Sequence, residues 1–321
     1  MMRKLMKSVR LLQVAGIALV GYIGLFSAPA TAGGAHNLGP KASCMECHEP
    51  EYEVYKGTQH FKSFKSKEHK KKGKKIVKAV AKVNGGKKNM KRNKACALCH
   101  FTIVKKKPKY GPSCESCHGA ASEWVEIHND YGGKDTKADT ETAEHKVKRH
   151  KDAAAAGMIW PRTALYEVAE NCNSCHGLAH PDLSGDELST MLDAGHPAKA
   201  DFELIQYFNG SNRHRFYPPN PDVNQEMTKK EASTMFVVGH IAKLVSATEA
   251  AAKSKHEKFT AMQQKRADNA KAALSKVSIA AVKAFVKKPT RANGLKAVDA
   301  IKGKDLSGEV GSMLPKKSDY K

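Results

Sequence analysis

The cysteines define the chemistry that this sequence can support. All eight cysteines fall into four pairs, and each pair is separated by two residues and followed at once by a histidine. The four motifs are Cys44/Cys47/His48, Cys96/Cys99/His100, Cys114/Cys117/His118 and Cys172/Cys175/His176. This spacing is the signature of covalent haem attachment, because two thiols reach the vinyl groups on one porphyrin edge while the next imidazole lies below the iron. The sequence therefore predicts four covalently bound haem c groups, with the motif histidines as proximal iron ligands.

Two other uses of paired cysteines fit the sequence less well. Zinc ribbons pair their cysteines at the same spacing, and small exported proteins use cysteines for disulfides. Neither kind of site requires a histidine after every second cysteine. Haem attachment is the interpretation that accounts for all four repeats.

The N-terminus has the layout of a secretory signal. Four basic residues within the first ten precede an apolar run over residues 11–26, and Ala30-Thr31-Ala32 follows. The run is shorter than the ~20 residues that a membrane-spanning helix needs. We expect residues 1–32 to be a cleaved signal peptide, with an uncleaved anchor as the alternative, and no stable membrane span after cleavage. The mature chain would be periplasmic or extracellular.

The charge of the chain is strongly basic, with a formal net value of +23. Residues 62–94 contain 15 Lys or Arg and one acid, Glu68. Such a balance favours nucleic acid, anionic lipid or an acidic protein as partner, and export argues against nucleic acid. Gly73, Gly85 and Gly86 predict that regular structure is interrupted here. Two interpretations stay open, a solvated flexible loop between haem sites and a docking surface for an acidic redox donor or acceptor.

The elements around the motifs predict a mainly α multihaem cytochrome with little regular structure around four packed haems. We expect a haem domain over residues 33–222 and a helical C-terminal region over 223–321 that packs on it. Thr228 and Glu231 form a capping-box pattern, after which a helical pattern runs to Lys288. The short segment between the second and third motifs predicts that their haems are neighbours.

The remaining histidines exceed the number of distal positions to be filled. Fifteen histidines less four proximal ones leave 15 − 4 = 11. This surplus favours bis-histidine ligation and low potentials, since a Met/His pair raises the reduction potential.

Residues 43–128 resemble the cytochrome c-554 family of tetrahaem proteins. The resemblance rests on CMECH, a Gly-Thr-Gln-His60 sequence, a basic segment, CALCH, and GPSCESCHG with His128 ten residues past His118. It implies that His60 ligates the third haem, that His128 ligates the first, and that the second haem is five-coordinate. Trp124 and His128 also share one helical face.

The sequence after the fourth motif suggests one more ligand. GHPAKADFEL is similar to an element that supplies an axial histidine in other multihaem cytochromes, so His196 is assigned to the haem at Cys172 and Cys175. His180, His214 and His240 compete for that role. The haem at Cys96 and Cys99 is then left open, or is closed by His240.

The resemblance implies an electron carrier between exported redox proteins rather than an enzyme, with a hydroxylamine-oxidoreductase-like donor. Two alternatives remain. One is a multihaem reductase of a small nitrogen or sulfur species at an open haem, and the other is a subunit of a conducting cytochrome polymer.

Overall fold

The structure, a computed structural model, describes residues 35–198 and 200–321. The signal peptide predicted over residues 1–32 lies outside the described residues. The fold is mainly α, as the sequence predicts, with 58% of the chain helical.

The elements follow one another in a largely helical order. The helices of the N-terminal part are α1 (Pro40–Ser43), α2 (Glu49–Gly57), α3 (Gln59–Ser63), α4 (Lys67–Asn84), α5 (Lys94–His100), α6 (Cys114–His118), α7 (Val125–Asn129), α8 (Ala143–Ala155) and α9 (Leu165–His176). The later helices are α10 (Gly185–Asp193), α11 (Leu204–Phe208), α12 (Lys229–Ala252), α13 (Glu257–Leu274), α14 (Ala280–Lys287), α15 (Arg291–Ile301) and α16 (Ser307–Val310). Between α5 and α6, strands β1 (Thr102–Val104) and β2 (Lys107–Tyr110) form an antiparallel pair.

Helix α12 is the centre of the largest buried cluster of apolar residues, and it packs against α9, α13 and α15. Its start follows the predicted capping box. The Thr228 hydroxyl accepts from the Glu231 backbone N–H, and the Glu231 carboxylate accepts from the Thr228 backbone N–H at 2.8 Å. The helical pattern predicted up to Lys288 is divided into α12, α13 and α14.

Helix α12 is also long and apolar enough to cross a membrane by length and composition, with a mean hydropathy of 1.2 over 18 residues. However, 72% of that window is buried inside the protein. Burial of this extent is typical of the core helix of a globular protein.

The lysine-rich segment that was expected to be irregular contains α4. One face of this helix is apolar, with Val77, Val80 and Ala81 buried where α4 packs against α10. Gly73 is buried too, and a Cβ atom there would lie 3.2 Å from the Met90 side chain. Tertiary packing therefore overrides the low helix propensity of glycine, and the absence of a side chain lets Met90 approach the helix.

Candidate haem-binding sites

Three of the four attachment motifs lie on helices, namely on α5, on α6 and at the end of α9. Cysteines three residues apart on a helix share one face, and the histidine, four residues after the first cysteine, lies on that side of the helix too. Asn93 starts α5 by accepting a hydrogen bond from the Ala95 backbone N–H. The first motif instead occupies the turn between α1 and α2, with His48 as the N-cap of α2. We number the sites 1 to 4 in the order of their motifs.

Cys47 is the one exposed cysteine among the described residues. The sequence assigns its thiol to the first haem. Its side chain is exposed, whereas the other seven cysteines are buried or half-buried. The physical reason is local, because Cys47 lies in a turn, where its backbone N–H donates to the Cys44 carbonyl at 3.3 Å, rather than on the packed face of a helix. Haem attachment through Cys47 therefore stays a prediction from the motif.

Within the described residues, each motif histidine has the ring of a second histidine close to it. The ring-centre distances are 6.2 Å for His48 and His128, 5.9 Å for His100 and His196, 6.3 Å for His118 and His214, and 5.9 Å for His176 and His60. A metal–imidazole bond is about 2.0 Å, so two imidazoles on opposite sides of one iron have ring centres about 6 Å apart. The four pairs fit the two axial positions of four haem irons.

This pairing agrees only in part with the assignments made from sequence. His128 lies beside His48, as the resemblance implies. His60 lies beside His176 rather than His118, and His196 lies beside His100 rather than His176. The distal histidines reach their sites through tertiary packing, which motif similarity in one segment does not determine.

Two further histidines differ from their sequence assignments. His214, which the sequence offered only as a competitor at the fourth motif, lies beside His118. His240, the rival ligand for the second haem, is buried on α12 with its ring 4.4 Å from that of Phe236. Site 2 therefore has a second histidine, and that histidine is not His240.

Backbone carbonyls fix the ring orientation of three of these histidines. The contacts of their Nδ1 atoms are His118 to the Ile159 carbonyl at 3.2 Å, His196 to the Pro197 carbonyl at 2.8 Å, and His214 to the Asn212 carbonyl at 2.7 Å. A carbonyl only accepts, so each Nδ1 carries the hydrogen and Nε2 keeps its lone pair for a metal. The contact at Nδ1, together with the neighbouring His118 ring, makes His214 a candidate ligand.

Burial keeps several of these imidazoles neutral. It lowers the pKa of His118 and of His128 to about 4, and it also lowers the pKa of His60 below its usual value. A histidine must be deprotonated at the coordinating nitrogen to bind a metal. The surroundings therefore favour the ligand form at neutral pH.

Aromatic rings lie beside two of the histidine pairs. Phe202 stacks on His176 with ring centres 4.3 Å apart. Trp124 and Trp160 lie 5.9 Å and 5.5 Å from His128, which places Trp124 beside a candidate haem ligand as the sequence predicts. Flat apolar surfaces of this kind suit a porphyrin, whose faces are also flat and apolar.

Contacts between cysteines connect the sites. All eight cysteines are free thiols, as haem attachment requires. Cysteines of different motifs lie next to one another in three pairs, Cys44 with Cys114, Cys117 with Cys172, and Cys99 with Cys175, and within each pair the pKa of one thiol is lowered and that of the other is raised. These contacts join site 1 to site 3, site 3 to site 4, and site 4 to site 2. The segment between the second and third motifs forms the β1–β2 hairpin, and no thiol contact among the described residues joins those two motifs.

Glu115, inside the third motif, braces site 3 against the chain that leads into site 1. Its side chain is buried and accepts from the backbone N–H groups of Leu38 and Gly39, both at 2.8 Å, and of Ala121 at 3.0 Å. Three bonds to one carboxylate fix the two motifs relative to each other.

The donor set suits a porphyrin better than a bare metal ion. Across the part of the chain that the structure describes, no group of three or more His, Cys, Asp or Glu side chains could hold a metal ion. A haem supplies four ligands to its own iron, so a pair of histidines is sufficient. The residues present therefore fit haem.

The helical fold and the paired histidines at CxxCH motifs have the features of a c-type cytochrome. Residues 43–119, which include the first three motifs, match the family described as Cytochrome c554 and c-prime. The resemblance drawn from the sequence is confirmed over this segment, and the match supports covalently bound haem c and a role in electron transport. Neither the curated proteins nor the solved structures gave a match.

Proposed function

We propose that this chain is an exported tetrahaem c-type cytochrome that transfers electrons between redox proteins through four bis-histidine haems. One observation carries the proposal, namely that each of the four motif histidines has a second histidine ring 5.9 to 6.3 Å away. When bound, haem c supplies one-electron exchange at its iron. The motif cysteines would hold the groups and the paired histidines would fill both axial positions, with aromatic side chains beside the histidines of sites 1 and 4.

The axial pairs favour a carrier over a reductase. A reductase needs an iron with an open axial position, and site 2 was the candidate for one. His196 beside His100 would fill that position. A protein that only passes electrons needs no substrate pocket at any of its haems.

The pairs also favour a self-contained unit over a subunit of a conducting polymer. A polymer of this kind needs a ligand donated across a subunit contact. Both histidines of each pair belong to this chain. The proposed ligand set would therefore need no second copy.

The thiol contacts support an order of transfer. Sites 1 and 3, sites 3 and 4, and sites 4 and 2 adjoin through their cysteines. Electrons would pass along the order 1–3–4–2, which makes sites 1 and 2 the two ends. Donor and acceptor proteins would then meet the chain at different ends.

The setting of the protein follows from the sequence. The signal peptide predicted over residues 1–32 supports a location in the periplasm or outside the cell, and the family resemblance suggests a hydroxylamine-oxidoreductase-like donor. The residues over 33–222 would form the haem domain, and the region over 223–321 would support it, with α12 packed against α9, the helix that carries the fourth motif.

The intact mass of the purified holoprotein tests the haem count. We expect four haem increments on a chain that begins at Gly33, and a C172S/C175S variant should lose one increment. A wild-type mass with fewer than four increments, or haem that acid acetone extracts, would contradict the proposal.

A further inference from the structure

Helix α4 carries a stripe of exposed lysines along the side opposite its buried face. Residues spaced three and four apart lie on one side of a helix. The stripe, called the lysine stripe below, consists of Lys67, Lys71, Lys74, Lys75, Lys78 and Lys82, all of them exposed. The buried face holds Val77, Val80 and Ala81.

The charge of the lysine stripe is not neutralised by the protein itself. Glu68, the one acid in residues 62–94, forms its ion pair with Lys72, which lies outside the stripe, at 2.6 Å. None of the six stripe lysines has an ion-pair partner among the described residues. Like charges four residues apart oppose helix formation. The stripe therefore does not serve the stability of α4, and its charge is available to a partner.

The buried side of α4 packs against residues that lie close in sequence to the two histidines of site 2. Val80 shares a buried apolar cluster with Ala95, which precedes Cys96, and with Met191 on the helix that leads to His196. The Asn84 side chain also donates to the Glu187 carboxylate on α10 at 2.9 Å. Both histidines of site 2 are thus close in sequence to residues that α4 packs against or bonds to.

A further lysine, Lys91, extends this basic surface toward His100. The Lys91 ammonium lies 3.4 Å from the centre of the Phe64 ring. The Phe64 ring is 6.1 Å from that of Phe101, which in turn is 6.3 Å from the His100 ring. A continuous set of side chains therefore connects basic surface to the proximal histidine of site 2.

We infer that the lysine stripe is the docking surface for an acidic redox protein that exchanges electrons with the haem at site 2. The inference rests on the proposed function, in which site 2 is one end of the electron route. A row of unneutralised positive charge attracts a partner with a negative patch and accelerates its encounter. Docking on α4 places that partner beside the terminal site rather than beside sites 3 and 4 in the middle of the order.

The test compares two charge-reversed holoproteins. The stripe variant carries K71E, K74E, K75E and K78E. The control carries K276E, K283E, K287E and K302E, four exposed lysines of the C-terminal region. Both variants change net charge by the same amount, so any difference between them reports the position of the charge. The probe is a reduced plant-type ferredoxin, an acidic one-electron donor, and the second-order rate of haem reduction is measured across salt concentrations.

We expect the stripe variant to lose about tenfold or more of the rate at low salt, within the range that electrostatic steering supplies, and to lose most of its salt dependence. The control should stay within about twofold of the wild type. Equal losses in both variants, or an unchanged stripe variant, would overturn the inference. It would also be overturned if the stripe variant kept its rate with ferredoxin but no longer bound phosphatidylserine vesicles, because the stripe would then serve an anionic membrane.

A separate readout distinguishes this inference from the proposed function. Reduction by dithionite, a small donor that needs no docking surface, should be complete in all three proteins. If the haems of the wild type fail to accept electrons from dithionite, the proposed function fails. A slow ferredoxin reaction with normal dithionite reduction, found in the stripe variant alone, supports the docking surface.

Discussion

The Arg149 guanidinium on α8 donates a hydrogen bond to the backbone carbonyl of His128, on α7, at 2.6 Å. Two other N–H groups of Arg149 bind both carboxylate oxygens of Glu141, at 2.7 and 2.6 Å. Arg149 is buried, and His128 is the histidine that lies beside His48 in site 1. Helix α8 thus fixes the backbone of a proposed axial ligand, and Glu141 holds the arginine that does so.

The first prediction concerns this contact. Arg149→Met removes the bond to the His128 carbonyl and leaves the Glu141 carboxylate without its arginine. We expect His128 to leave the iron in part of the molecules, so that carbon monoxide binds to a measurable fraction of the reduced haem, up to about one haem in four. Lys148→Met, on the exposed side of the same helix, is the matched control and should bind none. Normal low-spin spectra and no carbon monoxide binding in the Arg149 variant would show that the distal ligand does not depend on α8.

The second prediction concerns pH. The hydrogen bond from Arg149 lowers the pKa of Glu141 to about 2, below the usual value near 4.3 for glutamate. A carboxyl whose pKa is lower in the folded state adds stability that is fully present above the unfolded pKa and is lost as pH falls through the folded pKa. The free energy of unfolding of wild type minus that of Glu141→Gln should therefore be largest above about pH 5 and shrink toward pH 2. Chemical denaturation over this pH range measures it, and a difference that does not vary with pH would contradict the ion pair.

The third prediction separates His214 from His240. His214→Ala removes the ring beside His118 and should create one haem that binds carbon monoxide when reduced. His240→Gln changes a buried side chain that contacts Phe236, and its carbon monoxide response should match that of the wild type. If His240→Gln opens a haem and His214→Ala does not, then α12 supplies an axial ligand and the pairing at site 3 is incorrect.

The fourth prediction concerns the brace between sites 1 and 3. Glu115→Ala leaves the backbone N–H groups of Leu38, Gly39 and Ala121 without their acceptor. Hydrogen bonds to a charged group contribute about 1.5–3 kcal/mol each and are not additive, so we expect a loss of about 3 kcal/mol in the free energy of unfolding. Glu144→Ala, an exposed acid at the start of α8, serves as the control and should change stability by less than about 0.5 kcal/mol. A Glu115 variant as stable as this control would show that these hydrogen bonds do not stabilise the contact between sites 1 and 3.

Features that depend on neighbouring residues were predictable from the sequence. The attachment motifs require only a fixed spacing of cysteine and histidine, and the start of α12 at Thr228 requires only a side chain that reaches three residues along the chain. Trp124 beside His128 follows from helical spacing in the same way. Each of these features depends on residues that lie within about one helical turn of one another. The exposure of Cys47 was not predictable in this way, because the motif has the same spacing in a turn as on a helix.

The distal histidines depend on long-range packing instead. His60 and His176 lie far apart in the sequence, as do His118 and His214, and the tertiary fold brings each pair together. The sequence around a distal ligand carries little signal, because the motif histidine that it faces lies far away along the chain. The prediction of an irregular lysine-rich segment was wrong for a related reason. Gly73 and the closely spaced lysines of α4 disfavour a helix locally, and the packing of Val80 with residues more than ten positions away compensates.

The state of the second haem tests the central claim most directly, since it decides between four bis-histidine haems and three with one open. The measurement is carbon monoxide binding to the fully reduced wild-type holoprotein, with an electron paramagnetic resonance spin count on its oxidised form. Because His196 lies beside His100 at a ring-centre distance of 5.9 Å, we expect four low-spin haems and no spectral change with carbon monoxide. A high-spin signal from about one haem in four, together with carbon monoxide binding in the same proportion, would contradict the account.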